Sequence, residues 1–233
     1  MIEWFRDIQW EHLFDPELAW ESLPFLMQGL QITMLIALAG MVFSLLLGLV
    51  LAMGRMSKYR LLRWPARMYI SFMRGTPLLV FLFILYYGLP VIGVQFPSAI
   101  VAGIVGISMN FAAYSAEVIR SAIMSVPRGQ WESAASLQMN YWQTMRRVII
   151  PQATRIALPP TTNIFLDIVK GTSLVSVITV HELLYSSRLV AAQSWDAMTM
   201  YITAALIYWA VCVVISYFQE RLEVRYSRYL SKR

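Results

Sequence analysis

Forty-two consecutive residues, from Gly75 to Ala116, carry no charged side chain, and neither do the 33 from Ser22 to Gly54. A helix needs about 20 apolar residues to cross the hydrocarbon of a bilayer. The longer run therefore holds two crossings, with Pro90 and Pro97 marking the turn between them. The shorter run exceeds one crossing, so its helix tilts or projects from the bilayer. The whole chain is 58% apolar and 14% charged, with a mean hydropathy of +0.58. Soluble domains are neither so apolar nor so sparsely charged, and the expected class is an all-α polytopic membrane protein.

Five transmembrane helices are expected. The first lies within Ser22 to Gly54, where Gly40, Ser44, Gly48 and Ala52 recur every fourth residue and let a second helix approach closely. The second starts at Arg74-Gly75-Thr76-Pro77 and ends near Gly88 and Pro90. The third runs from about Ser98 to Arg120, with Ala102, Gly106 and Asn110 along one face. Pro159 and Pro160 open the fourth, and an outer loop from His181 to Asp196 leads to the fifth, Ala197 to Phe218. The fourth span carries Asp167 and Lys170, three residues apart and so able to face one another. Ionisable groups at this depth usually face a bundle interior or a wet cavity. The pair is either a structural neutralisation or a contact on a translocation path.

Charge placement sets the topology. Six basic residues lie between Arg55 and Arg74, five between Arg120 and Arg155 and five from Arg221 onward, 16 of the 19 in the chain. The positive-inside rule puts these segments in the cytoplasm, with the N-terminus outside and the C-terminus inside. Residues 1–21 are acidic and lack the basic-then-apolar order of a secretory signal. They read as an extracytoplasmic tail, followed by a transmembrane domain over 22–220 and a basic cytoplasmic tail over 221–233. The net charge of +6 is thus a topology signal and no nucleic-acid footprint. Cys212, the single cysteine, cannot form a disulfide within the chain. The sequence has no GxxxxGK[ST] loop, no metal-ligand cluster and neither GxSxG nor HExxH. No cofactor, metal or catalytic residue is expected.

The loop over about residues 121–151 is the unusual part. The stretch from Glu117 to Pro151 carries Glu117, Arg120, Arg128, Glu132, Arg146 and Arg147 between long apolar runs. Pro127 breaks the chain, and helix formers follow from Gln130 to Leu137. Asn140 with Gln143 three residues on forms a capping box for a second short helix. Trp131, Ala134, Ala135 and Met139 form a small, mostly apolar face beside Glu132, shaped to enter a groove on another protein. A helix pair lying on the membrane surface would have a similar composition.

This stretch resembles the EAA loop of ABC-importer permeases, in which Glu-Ala-Ala is followed by three residues, Gly, nine residues and Ile-x-Leu-Pro. The match here is Glu132, Ser133, Ala134, then Gln138 where the family has Gly, then Val148, Ile150 and Pro151. The flanks GQWESAASL and TMRRVIIPQATRIALPP are similar to the polar amino-acid branch, and to its cystine-type members in particular. Arg74-Gly75-Thr76-Pro77 also resembles the family, as does the run from Ile168 to Leu174, where Gly171 replaces the acid of the usual LVKDTSL. The similarity extends from about Ser22 to the C-terminus.

The resemblance implies a type I ABC importer fold and a permease subunit that is not itself an enzyme. Trp131, Glu132, Ser133, Ala134, Ala135 and Gln138 would couple it to a cytoplasmic ABC ATPase dimer. Asn163, Asp167, Lys170 and Ser173 would line the substrate path, with Asp167 standing in for the acid missing at 171. The other implied partners are an extracytoplasmic amino-acid-binding protein, a second permease subunit and membrane lipid, all at a bacterial cytoplasmic (inner) membrane. Gln138 is expected to change the turn between the short helices, since Gly commonly ends a helix there. Two rival readings are a secondary transporter or channel using Asp167 and Lys170, and a scaffold subunit whose loop docks a partner without transport. The sequence shows no inverted repeat, and five spans cannot be halved, which disfavours the first.

Overall fold

The computed structural model describes residues 13–227, and among them every regular element is helical. Helix α1 (Pro16–Met56) starts at an Asp15 cap, whose carboxylate accepts from the backbone N–H groups of Glu17 and Leu18. Helix α2 (Arg60–Gly75) leads through Thr76 and Pro77 into α3 (Leu78–Phe83), which continues as a π turn (Ile84–Gly88) and a 3-10 turn (Leu89–Ile92). Helix α4 (Ala99–Met124) is capped by Ser98. Two short helices follow, α5 (Arg128–Ser136) and α6 (Tyr141–Thr144), and a π turn (Met145–Ile149) joins α6 to α7 (Ile150–Gly171). A 3-10 turn (Thr172–Ile178), α8 (Leu183–Ser194) and α9 (Ala197–Ser227) complete the chain.

Among the described residues three helices are long and apolar enough to cross a membrane: Pro16–Met56, Ala99–Met124 and Ala197–Arg221. Two broken pairs pass the same test, Arg60–Gly75 with Leu78–Ile92, bent by 107°, and Tyr141–Ile178 with Leu183–Ser194, bent by 52°. With each bent pair taken as one span the count is five.

The α1–α4 contact is the centre of the bundle. Gly40, Ser44, Gly48 and Ala52 are all buried, as the four-residue spacing predicts. A Cβ on Gly48 would lie 2.6 Å from Ser115 Cβ, and one on Gly40 would lie 2.8 Å from Ile107 Cγ2. Only glycine allows this approach. The ends are tied by charge: Glu117 on α4 pairs with Arg55 in the last turn of α1 and, at 3.0 Å, with Arg120. Glu117 and Arg120 are thus part of the third span and not of the loop.

Four elements differ from the sequence expectation. The linker between Arg55 and Arg74 is the amphipathic helix α2, whose Tyr69 hydroxyl donates to the Met109 carbonyl on α4. The fourth span does not open at Pro159; both prolines lie inside α7, which starts nine residues earlier at Ile150. The expected outer loop from His181 to Asp196 is mostly α8, packed against α1 and α9. The fifth span, expected to end at Phe218, continues as helix to Ser227. Most of the acidic N-terminal tail and the last six residues of the basic tail lie outside the described residues.

Candidate functional site

The first candidate site is the α5–α6 pair. Asn140 and Gln143 form the expected capping box: each backbone N–H donates to the other's side-chain oxygen at 3.0 Å. The sequence-predicted face divides in two. Trp131 packs inward onto a cluster of Ala122, Ile123, Val126, Met145, Ile149 and Ala153, and Ala134, one turn on, is buried. Ala134 is 2% exposed. Glu132, Ser133, Ala135 and Gln138 face outward, joined by Leu137 at 76% exposure. Three-residue spacing along the helix separates the two sets. Trp131 and Ala134 therefore anchor α5 to the bundle instead of forming the exposed knob.

The turn at Gln138 keeps a glycine-like shape. Gln138 has φ +56°, and the helix closes with Gln138 N–H donating to Ala135 O (2.9 Å) and Met139 N–H donating to Ala134 O (3.1 Å). Glutamine holds the left-handed backbone that glycine takes without steric cost, so the expected change of turn does not occur. Gln152 on α7 clamps the pair: its Nε2 donates to Gln130 Oε1 at 3.0 Å and to Val148 O at 2.9 Å.

The second candidate site is a cavity of about 470 Å³ where the bend between α2 and α3 meets α4 and α7. Its charged and polar lining comes from Arg74, Thr76, Asn110, Tyr114 and Asp167. Asn110 is buried and its Nδ2 donates to Met73 O at 3.1 Å, which fixes the end of α2. The Arg74 guanidinium sits 5.6 Å from the centre of the Tyr114 ring.

Asp167 and Lys170 pair at 2.9 Å, as the spacing predicts, but both side chains are 60% exposed. They are not buried in this chain's own bundle. Asp167 lines the cavity and Lys170 does not; the cation that lines it is Arg74. Asn163 Oδ1 accepts from Gln219 Nε2 at 3.3 Å, and Ser173 Oγ donates to Lys170 O at 2.7 Å. Neither lines this cavity. A Cβ on Gly171 would meet Phe111 at 3.5 Å and Leu78 at 3.6 Å, ordinary contact distances, so glycine opens little space there.

Residues 44–228 match the family model described as "Binding-protein-dependent transport system inner membrane component". The chain belongs to this family of inner membrane components. A probable amino-acid ABC transporter permease protein, YckA of Bacillus subtilis (strain 168), is 52% identical over 225 residues, 97% of this chain and 99% of that protein. The L-cystine transport system permease protein TcyB of the same organism is 42% identical over 213 residues, 90% of this chain and 89% of that one. The crystal structure of an amino acid ABC transporter with histidines superposes with a TM-score of 0.84 at 35% identity, covering 88% of this chain and 95% of that chain. The fold is therefore that of an ABC importer permease.

Within this inner membrane component the two sites are joined by one element. From Tyr141 through the π turn to Gly171 the backbone is continuously helical, so α6 and Asp167 sit on a single rod, and the Gln130–Gln152 bond ties α5 to it. At 1.5 Å per residue the rod is roughly 45 Å long. Sequence reasoning missed Arg74, Asn110 and Tyr114 as cavity residues. Asn110 was legible only as a polar residue within a long uncharged run, and Arg74-Gly75-Thr76-Pro77 as a helix start.

Proposed function

We propose that this inner membrane component imports a polar amino acid, with ATP hydrolysed by a separate pair of cytoplasmic ATPase subunits. The observation that carries the reading is the cavity lined by both Asp167 and Arg74. An α-amino acid presents one ammonium and one carboxylate, and a carboxylate and a guanidinium answer them by charge-assisted hydrogen bonds. The names of the relatives support an amino-acid cargo, and TcyB makes cystine the first candidate to test.

An extracytoplasmic binding protein delivers the amino acid, and two permease subunits, identical or homologous, form the path. The α5–α6 pair seats on an ATPase through Glu132, Ser133, Ala135, Leu137 and Gln138. ATPase closure then moves the pair. The Gln130–Gln152 clamp, the half-buried Trp131 and the buried Ala134 keep it from sliding on α7, so α7 moves with it and shifts Asp167 relative to Arg74. The orientation is N-terminus outside and C-terminus inside, which puts this pair and the basic segments in the cytoplasm.

The test is co-purification with the co-expressed ATPase, reconstitution with the matching binding protein and a scan of amino acids for stimulated ATP hydrolysis. One or a few polar amino acids should stimulate it. Transport in vesicles lacking any ATPase would favour a secondary transporter. An ATPase complex that no amino acid stimulates would favour a scaffold.

A further inference from the structure

A second cavity, of about 540 Å³, lies between the last turn of α1, helix α2 and α4. Arg55, Arg67 and Arg74 line it, with the hydroxyls of Ser71 and Tyr114. No carboxylate lines it. Glu117, the acid paired with Arg55, also holds Arg120, and among the described residues neither Arg67 nor Arg74 has an ion-pair partner. Three guanidiniums around one cavity repel one another unless an anion lies between them. Their planar forks, with a neighbouring hydroxyl, suit the oxygens of a phosphate.

Helix α2 indicates where that phosphate comes from. Arg60, Arg63, Arg67 and Arg74 follow one stripe of the helix, while Leu61, Trp64, Met68 and Phe72 form an exposed apolar stripe beside it. Arginines alongside Trp, Leu and Phe are the marks of a helix lying at the membrane surface. The sharp bend before α3 turns the chain from that surface into the bundle. We infer that the cavity binds the phosphate of an anionic phospholipid, whose acyl chains run along the apolar stripe of α2. That this is the cytoplasmic leaflet rests on the orientation proposed above; the binding itself does not.

The site shares Arg74, Gly75 and Tyr114 with the cavity that holds Asp167. A bound lipid therefore fixes the Arg74 side of that cavity, and lipid composition sets how firmly the α2–α3 bend is held.

The test is native mass spectrometry of the delipidated full-length chain in detergent, titrated with phosphatidylglycerol or phosphatidylcholine. Phosphatidylglycerol should be retained preferentially, and Arg67→Gln should weaken its binding by about tenfold, the loss of one charge-assisted hydrogen bond to the phosphate. Arg60→Gln, on the same stripe but outside the cavity, should leave binding unchanged, and millimolar inorganic phosphate should not displace the lipid. Equal retention of both lipids, or equal losses from Arg60→Gln and Arg67→Gln, would overturn the site. Displacement by inorganic phosphate would overturn its assignment to a lipid. None of these readouts depends on transport, so failure here leaves the importer reading intact.

Discussion

The Glu182 carboxylate, fully shielded from solvent, accepts a hydrogen bond from the Tyr208 hydroxyl at 2.6 Å. Its other oxygen accepts from the Tyr185 backbone N–H at 2.8 Å; Thr33 Oγ1, 3.4 Å from the oxygen that Tyr208 reaches, in turn accepts from Leu183 N–H. One side chain thus joins α1, the start of α8 and α9. A buried acceptor that loses its donor costs about 1–3 kcal/mol. Tyr208→Phe should therefore lower the thermal midpoint in detergent, and Glu182→Leu should lower it more, since it removes the whole junction. An unchanged midpoint for Tyr208→Phe would show that the bond is not a stabilising one.

The α1–α4 approach makes a second, steric prediction. A Cβ on Gly48 meets Ser115 Cβ at 2.6 Å, whereas one on Gly129 meets nothing within 4 Å. Gly48→Val should fail to give a monodisperse chain, and Gly48→Ala should destabilise by about 1–3 kcal/mol, the usual cost of overpacking. Gly129→Ala should be neutral or stabilising, because alanine favours helix over glycine by up to about 1 kcal/mol. Equal size-exclusion profiles and melting curves for all three variants would contradict the packing described.

Much of this fold was legible because apolar length and glycine spacing are local signals. The stripe of Gly40, Ser44, Gly48 and Ala52 and the Asn140–Gln143 box depend on neighbours three or four residues away, and both appear where the spacing puts them. The inward turn of Trp131 was not legible, because the cluster it packs on includes Met145 and Ile149 from a different helix segment. Glu182 was missed for a similar reason. Its partners Thr33 and Tyr208 lie 149 and 26 residues away, and a lone acid after an apolar run reads as the start of a loop. The Asp167 and Lys170 spacing was read correctly, but which of them lines a cavity depends on the fold of α2 and α3.

Gln138 gives a prediction for the α5–α6 pair. Its φ of +56° is strained for any residue with a Cβ. Gln138→Gly should relieve about 1 kcal/mol of that strain, minus the added freedom of the unfolded chain. It should keep ATPase association, while Glu132→Lys should weaken it without affecting membrane insertion. Pull-down of the co-expressed ATPase measures both; normal recovery with Glu132→Lys would remove Glu132 from the interface.

Acid should loosen the junction between the two long helix starts. Asp196 accepts from Thr199 Oγ1 at 2.6 Å and from Thr199 N–H at 3.0 Å, and the Asp15 N–H donates to the same hydroxyl at 2.8 Å. The Thr199 hydrogen bonds hold the Asp196 carboxyl below the usual carboxylate range. Because the folded value is the lower one, this stabilisation is present above the unfolded value and is lost as pH falls through the folded value. Wild type should lose more stability than Asp196→Asn between neutral pH and about pH 3, near and below the ordinary range of aspartate. Parallel pH profiles of melting temperature for the two proteins would contradict the assignment.

In the proposed function the amino acid passes through the cavity between Asp167 and Arg74. Asp167 and Lys170 are both 60% exposed on this chain, so breaking their pair leaves no unpaired charge within its packed core. Lys170→Met should therefore fold and keep most transport. Asp167→Asn should also fold and should keep ATPase association, but lose one of the two charges that answer the amino acid. The decisive measurement is uptake of the stimulating amino acid by proteoliposomes holding the permease, its ATPase and its binding protein, with Asp167→Asn and Lys170→Met beside the wild type. The account predicts a drop of about tenfold or more for Asp167→Asn, the loss of one charge-assisted hydrogen bond, and less than about threefold for Lys170→Met. Wild-type uptake by the Asp167→Asn protein would contradict it.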